Sequence, residues 1–504
     1  MKLLSLALQD HDANISYFDG SNVHYHKLER TKSIKHFGTP SMWEWKNEIK
    51  NLWNITENDV DEILFIMALG DREFDVFHSS PNCPLVEKFE NVIDLKILTN
   101  PKKSWYMQHH YSHALSGWMM YDKEPDVCIV VDGLGDRKTW SVFRNDVKID
   151  SGDLDMGSIG FMMMEAGKYL GVKSKFDIDY AGKVMGLQSY GNIDYDYLEK
   201  LKDFNINHVN QIFSSKTWIA HKQDALLAQL SPLDWIKTVH FKMEQVMVDF
   251  FKQYAKEDET IFYSGGVAQN VIWNTALKKV FKNLIIAPHS SDEGLSLGGL
   301  EWMRKQHKLS RFKLDNFPYA QSDECSDEVT DETIKHAAKL LSEGKIIGWY
   351  QGKGEIGPRA LGNRSILMDP RISNGKEKIN FVKNRENYRP FGASALKEYA
   401  NDLFDIKFDD DYMLYVTNVK SNDIKAITHI DGTCRLQTVT EKTNLNFYKL
   451  LKEFHRLTGC PVLLNTSLNL NGKPICGNIG EAKEIFIMTN INCIFIGNQF
   501  YTKG

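Results

Sequence analysis

At 504 residues the chain is too long for a single ordinary domain, so two or three domains are expected. Its 42% hydrophobic and 25% charged content is ordinary for a soluble globular protein. A formal net charge of −5 excludes a general electrostatic attraction to nucleic acid or anionic membranes, although local basic patches are compatible with it.

The N-terminal residues and the cysteines indicate the cellular compartment. The opening MKLLSLALQD has an apolar stretch that ends at Leu8, which is too short for a signal peptide core or a membrane span. The seven cysteines are scattered without CxxC spacing, which predicts neither a disulfide framework nor a structural zinc site. We therefore expect a cytoplasmic protein with reduced thiols and no membrane partner.

In chain order, the N-terminal segment alternates in hydrophobicity and predicts three strands joined by turns at Gln9–Asp12 and Asp19–Asn22. A continuous apolar run that ends in acidic residues and glycines predicts a strand over 126–136. The segment 259–277 predicts a strand, a Gly-Gly turn and a helix from about Val267. Such strand, turn and helix units with glycines at their joints indicate an α/β fold.

The character of the sequence changes between about 305 and 332, where charge is high and no apolar period is visible. This segment predicts a linker, with a domain boundary near 320. A helix over 333–345 and a strand are predicted after it. The next stretch, GEIGPRALGNRSILMDPR (354–371), reads as neither a good helix nor a good strand. No internal repeat is visible anywhere in the chain.

Two histidines four residues apart, His109 and His113 in QHHYSHALSGW, form the first candidate site. On a helix both imidazoles lie on one face within reach of one metal ion, whereas His110 points elsewhere. A third, oxygen ligand is needed, and Asp292 in SDEG is the candidate, although it is equally plausible as a helix N-cap. Histidine and carboxylate ligands suit iron, zinc or manganese.

A further histidine, His11 in DHDA, lies at the turn after the first predicted strand. It is a candidate general base for a hydroxyl group, and the alternative is a hydrogen-bonding turn residue.

Three glycine-containing loops at the ends of predicted strands resemble a nucleotide site that holds phosphates on opposite sides of a cleft. Any one of these loops alone is weak evidence, because turns use glycine anyway. The candidate nucleotide-binding residues in the three loops are Asp132, Gly133, Gly135, Lys183, Gly186, Gly265, Gly266 and Asn270.

The C-terminal part concentrates cations beside a strand that ends in Asn-Thr-Ser, which predicts an anion pocket. The alternative is ordinary surface charge, with Arg371 and Arg385 paired to Asp369 and Glu386. The candidate residues of this pocket are Arg359, Arg364, Arg371, Lys383, Arg385, Arg389, Arg435, Asn465 and Ser467.

Taken together, these motifs resemble the O-carbamoyltransferases of the nodulation and antibiotic-biosynthesis type (NodU/CmcH family). The resemblance runs nearly end to end through HDA, HHYSHA, DGLGD, SGGVAQN, SDEG, GPRALGNRSILMDPR, KNRE, RPFG and LNTSLN. It implies an actin-like ATPase-superfamily (ASKHA) domain over 1–320, similar to tRNA threonylcarbamoyl transferases. It further implies a YrdC-like domain over 321–504. RPFGAS departs from the usual RPFAP, which leaves that loop's conformation open.

The resemblance implies that carbamoyl phosphate and ATP, the latter with Mg²⁺, give carbamoyl adenylate and pyrophosphate in the second domain. The first domain then passes the carbamoyl group to an acceptor hydroxyl beside a divalent metal, with Fe²⁺ favoured. By position, His109, His113 and Asp292 match the metal ligands, and His11 matches the base that deprotonates the acceptor. Five further residues lie in the stretches that match those binding carbamoyl phosphate and nucleotide: Lys383, Arg385, Arg389, Arg435 and Ser467. Of these, Lys383, Arg385 and Arg435 are the catalytic candidates.

The acceptor stays open between a sugar or natural product and a hydroxymethylated pyrimidine, free or in DNA. Lys102, Lys103, Trp105 and Tyr106 mix cations with aromatic rings, as nucleic-acid surfaces do, and the alternative is ordinary rim charge. Three rival functions are a tRNA threonylcarbamoyl transferase, a sugar kinase of the actin-like superfamily and a non-catalytic nucleotide-binding scaffold. The oligomeric state is also open, a homodimer included.

Overall fold

The computed structural model describes residues 1–39, 44–67, 84–88, 103–154, 157–208, 229–321, 324–325 and 328–503. The chain forms two compact units. The first comprises Met1–Leu28 and His36–Phe317, and the second comprises Glu29–Lys35 and Pro318–Gly504. Within the described residues, every helix is too short or too polar to span a membrane.

The strands of the first unit are β1 (Leu3–Leu8), β2 (Asn14–Phe18), β3 (Val23–Lys27), β4 (Glu62–Met67), β5 (Val86–Lys88), β6 (Ser104–Met107), β7 (Val127–Gly135), β8 (Lys138–Arg144), β9 (Val147–Asp153), β10 (Ile261–Ser264) and β11 (Leu284–Ile286). The helices up to its end are α1 (Leu28–Lys32), α2 (Glu44–Trp53), α3 (His109–Leu115), α4 (Ile159–Tyr169), α5 (Asp179–Leu187), α6 (Tyr195–Lys200), α7 (Pro232–Tyr254), α8 (Val271–Val280) and α9 (Leu295–Gln306). Short 3-10 helices lie at Glu57–Asp59, Trp118–Met120, Gln188–Tyr190, Ile206–His208, Gly266–Gln269 and Asp292–Gly294.

The two sheets of the first unit repeat one topology. The first has the order β3-β2-β1-β4-β6-β5, and the second has the order β9-β8-β7-β10-β11. In each, three consecutive strands pair antiparallel, and two later strands continue the sheet parallel to the first of the three. This doubling is the arrangement of the predicted actin-like fold, and the α/β class is confirmed. The repeat is one of topology, which explains why no repeat is visible in the sequence.

The three predicted N-terminal strands are present as β1, β2 and β3. Their register pairs Leu3 with Phe18 and Leu6 with Ile15. Every side chain of β1 is buried, because the strand is central in its sheet and α9 packs against it.

The second unit contains strands β12 (Glu324–Cys325), β13 (Ile347–Tyr350), β14 (Gly352–Lys353), β15 (Arg364–Met368), β16 (Gly392–Leu396), β17 (Val416–Asn418), β18 (Thr433–Val439), β19 (Val462–Ser467), β20 (Cys493–Ile496) and β21 (Gln499–Thr502). Its helices are α10 (Asp331–Ser342), α11 (Gly375–Lys383), α12 (Lys397–Leu403), α13 (Leu445–Thr458) and α14 (Ile479–Met488), with a 3-10 helix at Lys425–Ile427. Eight strands form one mixed sheet in the order β17-β18-β16-β19-β15-β13-β20-β21. This mixed sheet with helices is the α/β class expected for a YrdC-like domain.

Two predicted elements differ from the structure. The helix expected from Val267 begins at Val271, because Gly266–Gln269 forms a 3-10 turn and the side chain of Asn270 caps the helix. The stretch 354–371, expected to be irregular, contains the fully buried strand β15. Its sequence RSILM is short, but it pairs on both sides in the middle of the sheet, so the tertiary context decides its conformation.

Candidate functional site

Helix α3 places the two predicted metal-binding histidines. The carboxylate of Asp136 accepts the backbone N–H of His109 at 2.6 Å and the hydroxyl of Tyr106 at 3.1 Å, which fixes the start of the helix. The imidazoles of His109 and His113 lie on one face, with their Nε2 atoms 3.1 Å apart. Both side chains are buried, and the two rings lie together on the face that the four-residue spacing predicts.

Two carboxylates face these imidazoles. An oxygen of Asp132, on β7, lies 3.1 Å from Nε2 of His109 and 3.5 Å from Nε2 of His113. An oxygen of Asp292, in the 3-10 helix after β11, lies 3.4 and 3.3 Å from the same two nitrogens. We call these four residues the His–Asp cluster, and one ligand atom from each lies within 4.8 Å of all the others.

The chemistry of this cluster fits a divalent metal ion. Burial alone would lower the pKa of His109, but the charges of Asp292 and Asp132 outweigh it and raise the pKa well above its ordinary value. Burial would raise the pKa of Asp132, yet hydrogen bonds from the two histidines hold it well below its ordinary range. Two buried imidazoles and two buried carboxylates form a ligand set suited to iron, zinc or manganese.

Asp132 was predicted as a nucleotide-binding residue, and the structure places its carboxylate in the His–Asp cluster. The glycines around it serve the same centre. A Cβ on Gly135 would lie 2.3 Å from the ring of His109, and the amide of Gly266 donates to Asp132 at 2.8 Å. Gly265 has a φ of +99°, and a Cβ there would lie 2.2 Å from the carbonyl oxygen of Val131. In this structure, therefore, these loop glycines shape the cluster.

His11 lies beside the cluster and remains partly accessible, since 41% of its side chain is exposed. Its Nδ1 is 3.1 Å from an oxygen of Asp12 and 3.7 Å from an oxygen of Asp292. Burial lowers the pKa of His11, but the hydrogen bond to Asp12 and the charge of Asp292 outweigh it and raise the pKa to about 9. Asp12 is also held by Lys27 at 3.0 Å and by His36 at 3.1 Å.

Lys383, Arg385, Arg389 and Arg435 form a second centre, which we call the cation cluster. Burial and the charges of Arg385 and Arg389 lower the pKa of Lys383 well below its ordinary value. Burial, with the charges of Arg389 and Arg435, likewise lowers the pKa of Arg385. Burial and the charge of Arg389 lower the pKa of Arg435 to about 10. Mutual repulsion of this kind marks a place where a polyanion is stabilised.

Lys383 ends α11 and reaches the end of β19. Its Nζ donates to the carbonyl oxygens of Ser467 at 2.6 Å and Asn469 at 2.8 Å, and to the side-chain oxygen of Asn469. The Ser467 hydroxyl donates to the same side-chain oxygen at 2.6 Å. Ser467 is a predicted site residue, whereas Asn469 was missed. Its place two residues after Ser467 in LNTSLN was the available signal.

Arg385 is fixed by three contacts. Its Nε donates to Oδ1 of Asn380 at 2.9 Å, and its Nη2 donates to the carbonyl oxygen of Pro390 at 3.1 Å. The guanidinium also lies 4.0 Å from the ring centroid of Phe391. Glu386, the alternative partner, lies 3.8 Å from Arg389.

Comparison with known proteins identifies the family of the chain. Two family models match the chain: Carbamoyltransferase N-terminus over residues 76–300 and Carbamoyltransferase C-terminus over residues 338–503. The chain is 30% identical over 438 residues to nodulation protein NolO of Bradyrhizobium diazoefficiens, with 78% of each chain covered. The chain belongs to the carbamoyltransferase family. The resemblance drawn from its motifs is thereby confirmed.

One further relative and one solved structure complete the comparison. The chain is 30% identical over 277 residues to the 3'-hydroxymethylcephem-O-carbamoyltransferase of Streptomyces clavuligerus. That match covers 52% of each chain, about half of this relative's length. The crystal structure of the (R)-2-hydroxyglutaryl-CoA dehydratase component A of Acidaminococcus fermentans is 13% identical, with a TM-score of 0.38 over 61% of this chain and 99% of that one. A structural similarity of this size gives no information about the activity of the chain.

The remaining predicted residues of this carbamoyltransferase-family chain have structural contacts of their own. Gly133 accepts a hydrogen bond from Ser158 at 2.6 Å, and the ammonium of Lys183 on α5, the helix that also holds Gly186, donates to a backbone carbonyl. Asn270 caps α8 and lies 3.0 Å from Nε2 of His240. A nucleotide-binding role for these residues stays a prediction.

The three arginines of the 354–371 stretch differ from one another. Arg364 is buried and donates to the carbonyl oxygens of Gln351, Asn363 and Gly352 at 2.6 to 3.0 Å, which favours a structural role over the predicted anion contact. Arg371 is paired with Asp369 at 2.7 Å, the alternative weighed from the sequence. Arg359 is half-buried in the loop before β15, and its anion contact stays a prediction.

Asn465, predicted beside these arginines, lies within β19. Its Nδ2 donates to the carbonyl oxygen of Ala360 at 3.1 Å and to the hydroxyl of Ser394 at 2.9 Å, so it ties the arginine-rich loop to the sheet.

The proposed surface for a nucleic-acid acceptor is not formed as predicted. Tyr106 is buried with its hydroxyl on Asp136, and Trp105 packs edge-on against Trp302 with ring centroids 5.3 Å apart. Tyr106 is therefore closed to base stacking. Lys102 lies outside the described residues, and Lys103 is exposed.

Proposed function

We propose that this chain is an O-carbamoyltransferase that makes carbamoyl adenylate from carbamoyl phosphate and ATP and transfers the carbamoyl group to an acceptor hydroxyl. The observation that carries the proposal is the presence of two buried centres of opposite character in a carbamoyltransferase-family chain. One is rich in carboxylates and imidazoles and suits a cation. The other gathers four cations and suits a polyanion.

The activation step belongs to the second unit. Hydrolysis of carbamoyl phosphate releases phosphate and leaves carbamate, whose oxygen displaces pyrophosphate from the α-phosphate of Mg²⁺-bound ATP. Both substrates are anions, so their repulsion opposes the attack. The cation cluster offsets this repulsion and stabilises the charge that develops on the α-phosphate and on the leaving pyrophosphate. Arg385 and Arg435 carry this role, because a buried cation attracts phosphate oxygens more strongly than an exposed one does and Arg385 is already fixed in orientation.

The transfer step belongs to the first unit. His11 takes the proton of the acceptor hydroxyl through Nε2, because Nδ1 is held by Asp12. The alcohol oxygen attacks the carbamoyl carbon and AMP leaves. His109, His113, Asp132 and Asp292 would hold a divalent metal ion, with Fe²⁺ the proposed ion, which would supply Lewis-acid charge. Positive charge held there would offset the part of the rise in the pKa of His11 that the charges of Asp292 and Asp132 cause, whereas the larger contribution from the hydrogen bond to Asp12 would remain.

The proposed acceptor is the alcohol of a small molecule. The Streptomyces clavuligerus relative is named as an O-carbamoyltransferase of a 3'-hydroxymethylcephem, which is a small molecule with a hydroxymethyl group. A hydroxymethylated pyrimidine meets the same chemical requirement and is the alternative. Burial of Tyr106 removes one aromatic ring that favoured a nucleic acid chain.

The test is pyrophosphate release from ATP in the presence of carbamoyl phosphate. Arg435→Ala is expected to lower the release rate at least about 100-fold, because a charge-assisted contact to the reacting phosphates is lost. His109→Ala is expected to retain release and to lose bound metal and transfer of label to an acceptor alcohol. Arg371→Ala, which removes a cation outside the cluster, is the matched control and should stay within about twofold.

Two results would contradict the proposal. Equal loss of pyrophosphate release in the Arg435 and His109 variants would refute the division of labour between the two units. Nucleotide binding by the wild-type protein without any release that depends on carbamoyl phosphate would favour the non-catalytic scaffold.

A further inference from the structure

Asn380, on α11, lies beside the cation cluster, and its hydrogen bonds indicate a role in that cluster. The residue is 2% exposed. Its Oδ1 accepts from Nε of Arg385 at 2.9 Å, and the backbone N–H of Arg385 donates to its carbonyl oxygen at 3.2 Å. Asn380 therefore holds Arg385 through both its side chain and its backbone.

The other half of the Asn380 amide is incomplete. Across the described part of the chain, its Nδ2 has no hydrogen-bond partner although the atom is buried. A buried amide NH₂ without an acceptor is destabilising, so such groups are rare unless something else satisfies them. The orientation of the amide is set by Arg385, because Nε–H can only donate and therefore requires the oxygen on its side.

A second donor in the same centre is also incomplete. Nε of Arg435 is buried and lacks a hydrogen-bond partner among the described residues. Arg435 lowers the pKa of Arg385 through its charge, so the two guanidinium groups are electrostatic neighbours. Unsatisfied donors beside mutually repelling cations call for an acceptor-rich anion, and phosphate oxygens supply only acceptors.

We propose that Asn380 is an additional phosphate-binding and positioning residue of the cation cluster. Its oxygen holds Nε of Arg385, which leaves the remaining guanidinium N–H groups for the ligand. Its NH₂ group donates to a phosphate oxygen of the same ligand. The inference rests on the proposed function and extends it. It gives the phosphate site an uncharged donor, which a count of cations in the sequence does not reveal.

The experiment measures binding of inorganic pyrophosphate by calorimetry to the full-length wild-type chain and to four variants. One of them, Arg385→Ala, removes a member of the cation cluster. Asn380→Leu keeps the side-chain volume and removes both polar atoms, so the dissociation constant should rise about tenfold. Asn380→Asp keeps the acceptor for Arg385 but replaces the donor with a negative oxygen, so the rise should be larger. Asn492→Ala is the matched control, because its Oδ1 accepts a backbone N–H of Ile346 elsewhere in the second unit, and it should bind as wild type does.

Thermal unfolding separates binding from a merely structural role. Added pyrophosphate should raise the melting temperature of the wild type, and this gain should be smaller in Asn380→Leu. A structural role instead predicts a lower melting temperature without ligand and an unchanged gain. In the pyrophosphate-release assay, Asn380→Leu should raise the KM for carbamoyl phosphate or ATP by a larger factor than it lowers kcat.

The outcomes distinguish the two proposals. If the wild type binds pyrophosphate and Arg385→Ala loses it while Asn380→Leu binds normally, the role of Asn380 is refuted and the proposed function stands. If neither the wild type nor any variant binds pyrophosphate, the phosphate site itself is refuted.

Discussion

The His–Asp cluster and the cation cluster solve the problem of buried charge in opposite ways. In the His–Asp cluster, groups of unlike character face each other at 3.1 to 3.5 Å, and each carboxylate is stabilised by both imidazoles. In the cation cluster the side chains carry the same sign and lower one another's pKa. The first can therefore persist by sharing protons, whereas the second needs an external anion to relieve its repulsion.

This difference indicates what each centre binds. A cluster of two carboxylates and two imidazoles exchanges its protons for a divalent cation. In a cluster of ammonium and guanidinium groups, a bound polyanion relieves the repulsion and favours the charged forms. The sign of the ligand's charge can thus be inferred from the side chains alone, whereas the proposed ligands rest on the family resemblance.

The largest expected effect tests the boundary of the cation cluster. Arg364→Met should lower the free energy of unfolding by about 3–5 kcal/mol, because three buried carbonyl oxygens lose their donor. The guanidinium also lies 3.6 Å from the ring centroid of Tyr350, and this contact is lost as well. The measurement is chemical denaturation of the wild type and the variant.

If Arg364 is instead a member of the cation cluster, the outcome differs. The variant would then be near wild type in stability and would lose pyrophosphate binding. Arg456→Ala, which removes a surface pair with Glu453, is the control and should leave the unfolding free energy near that of the wild type.

The next effect tests the completeness of the His–Asp cluster. Asp132→Asn should weaken Fe²⁺ or Zn²⁺ binding about 100-fold, because a negative ligand becomes a neutral one. Pyrophosphate release should persist. Metal content after dialysis against a chelator gives the readout, with Asp146→Asn, at a surface pair with Lys305, as the control. Unchanged metal affinity would remove Asp132 from the ligand set.

The sequence predicted part of this architecture well. The first three strands and the helical face of His109 and His113 follow from local periodicity, which needs no tertiary information. Long-range pairing explains the failures. Asp132 looked like part of a glycine loop because its partners on α3, His109 and His113, lie about twenty residues before it. The short segment Glu29–Lys35 joins the second unit through contacts such as Arg30 with the carbonyl oxygen of Ile475, which no local pattern encodes.

The amides were missed for a different reason. Asn380 and Asn469 carry no charge, and asparagine is common in turns and helix caps, so neither stands out in the sequence. Their significance comes from the partners they hold, Arg385 and Lys383, which only coordinates reveal. Charged residues in a sequence indicate an anion site, whereas the neutral residues that orient them give no such indication.

The smallest expected effect is a pH dependence specific to the cation cluster. Lys383 has a pKa below its ordinary value of 10.5 because burial and neighbouring cations disfavour its charge. A bound polyanion favours that charge and raises the pKa, so binding takes up a proton at any pH between the two values. Pyrophosphate affinity should therefore fall as pH rises through the lowered pKa, by at most about tenfold per pH unit for one proton.

Lys383→Arg, measured in the same buffers, corrects for the titration of pyrophosphate itself, because its guanidinium stays charged. An identical pH profile in both proteins would show that Lys383 does not titrate on binding and that its four oxygen contacts already hold it charged.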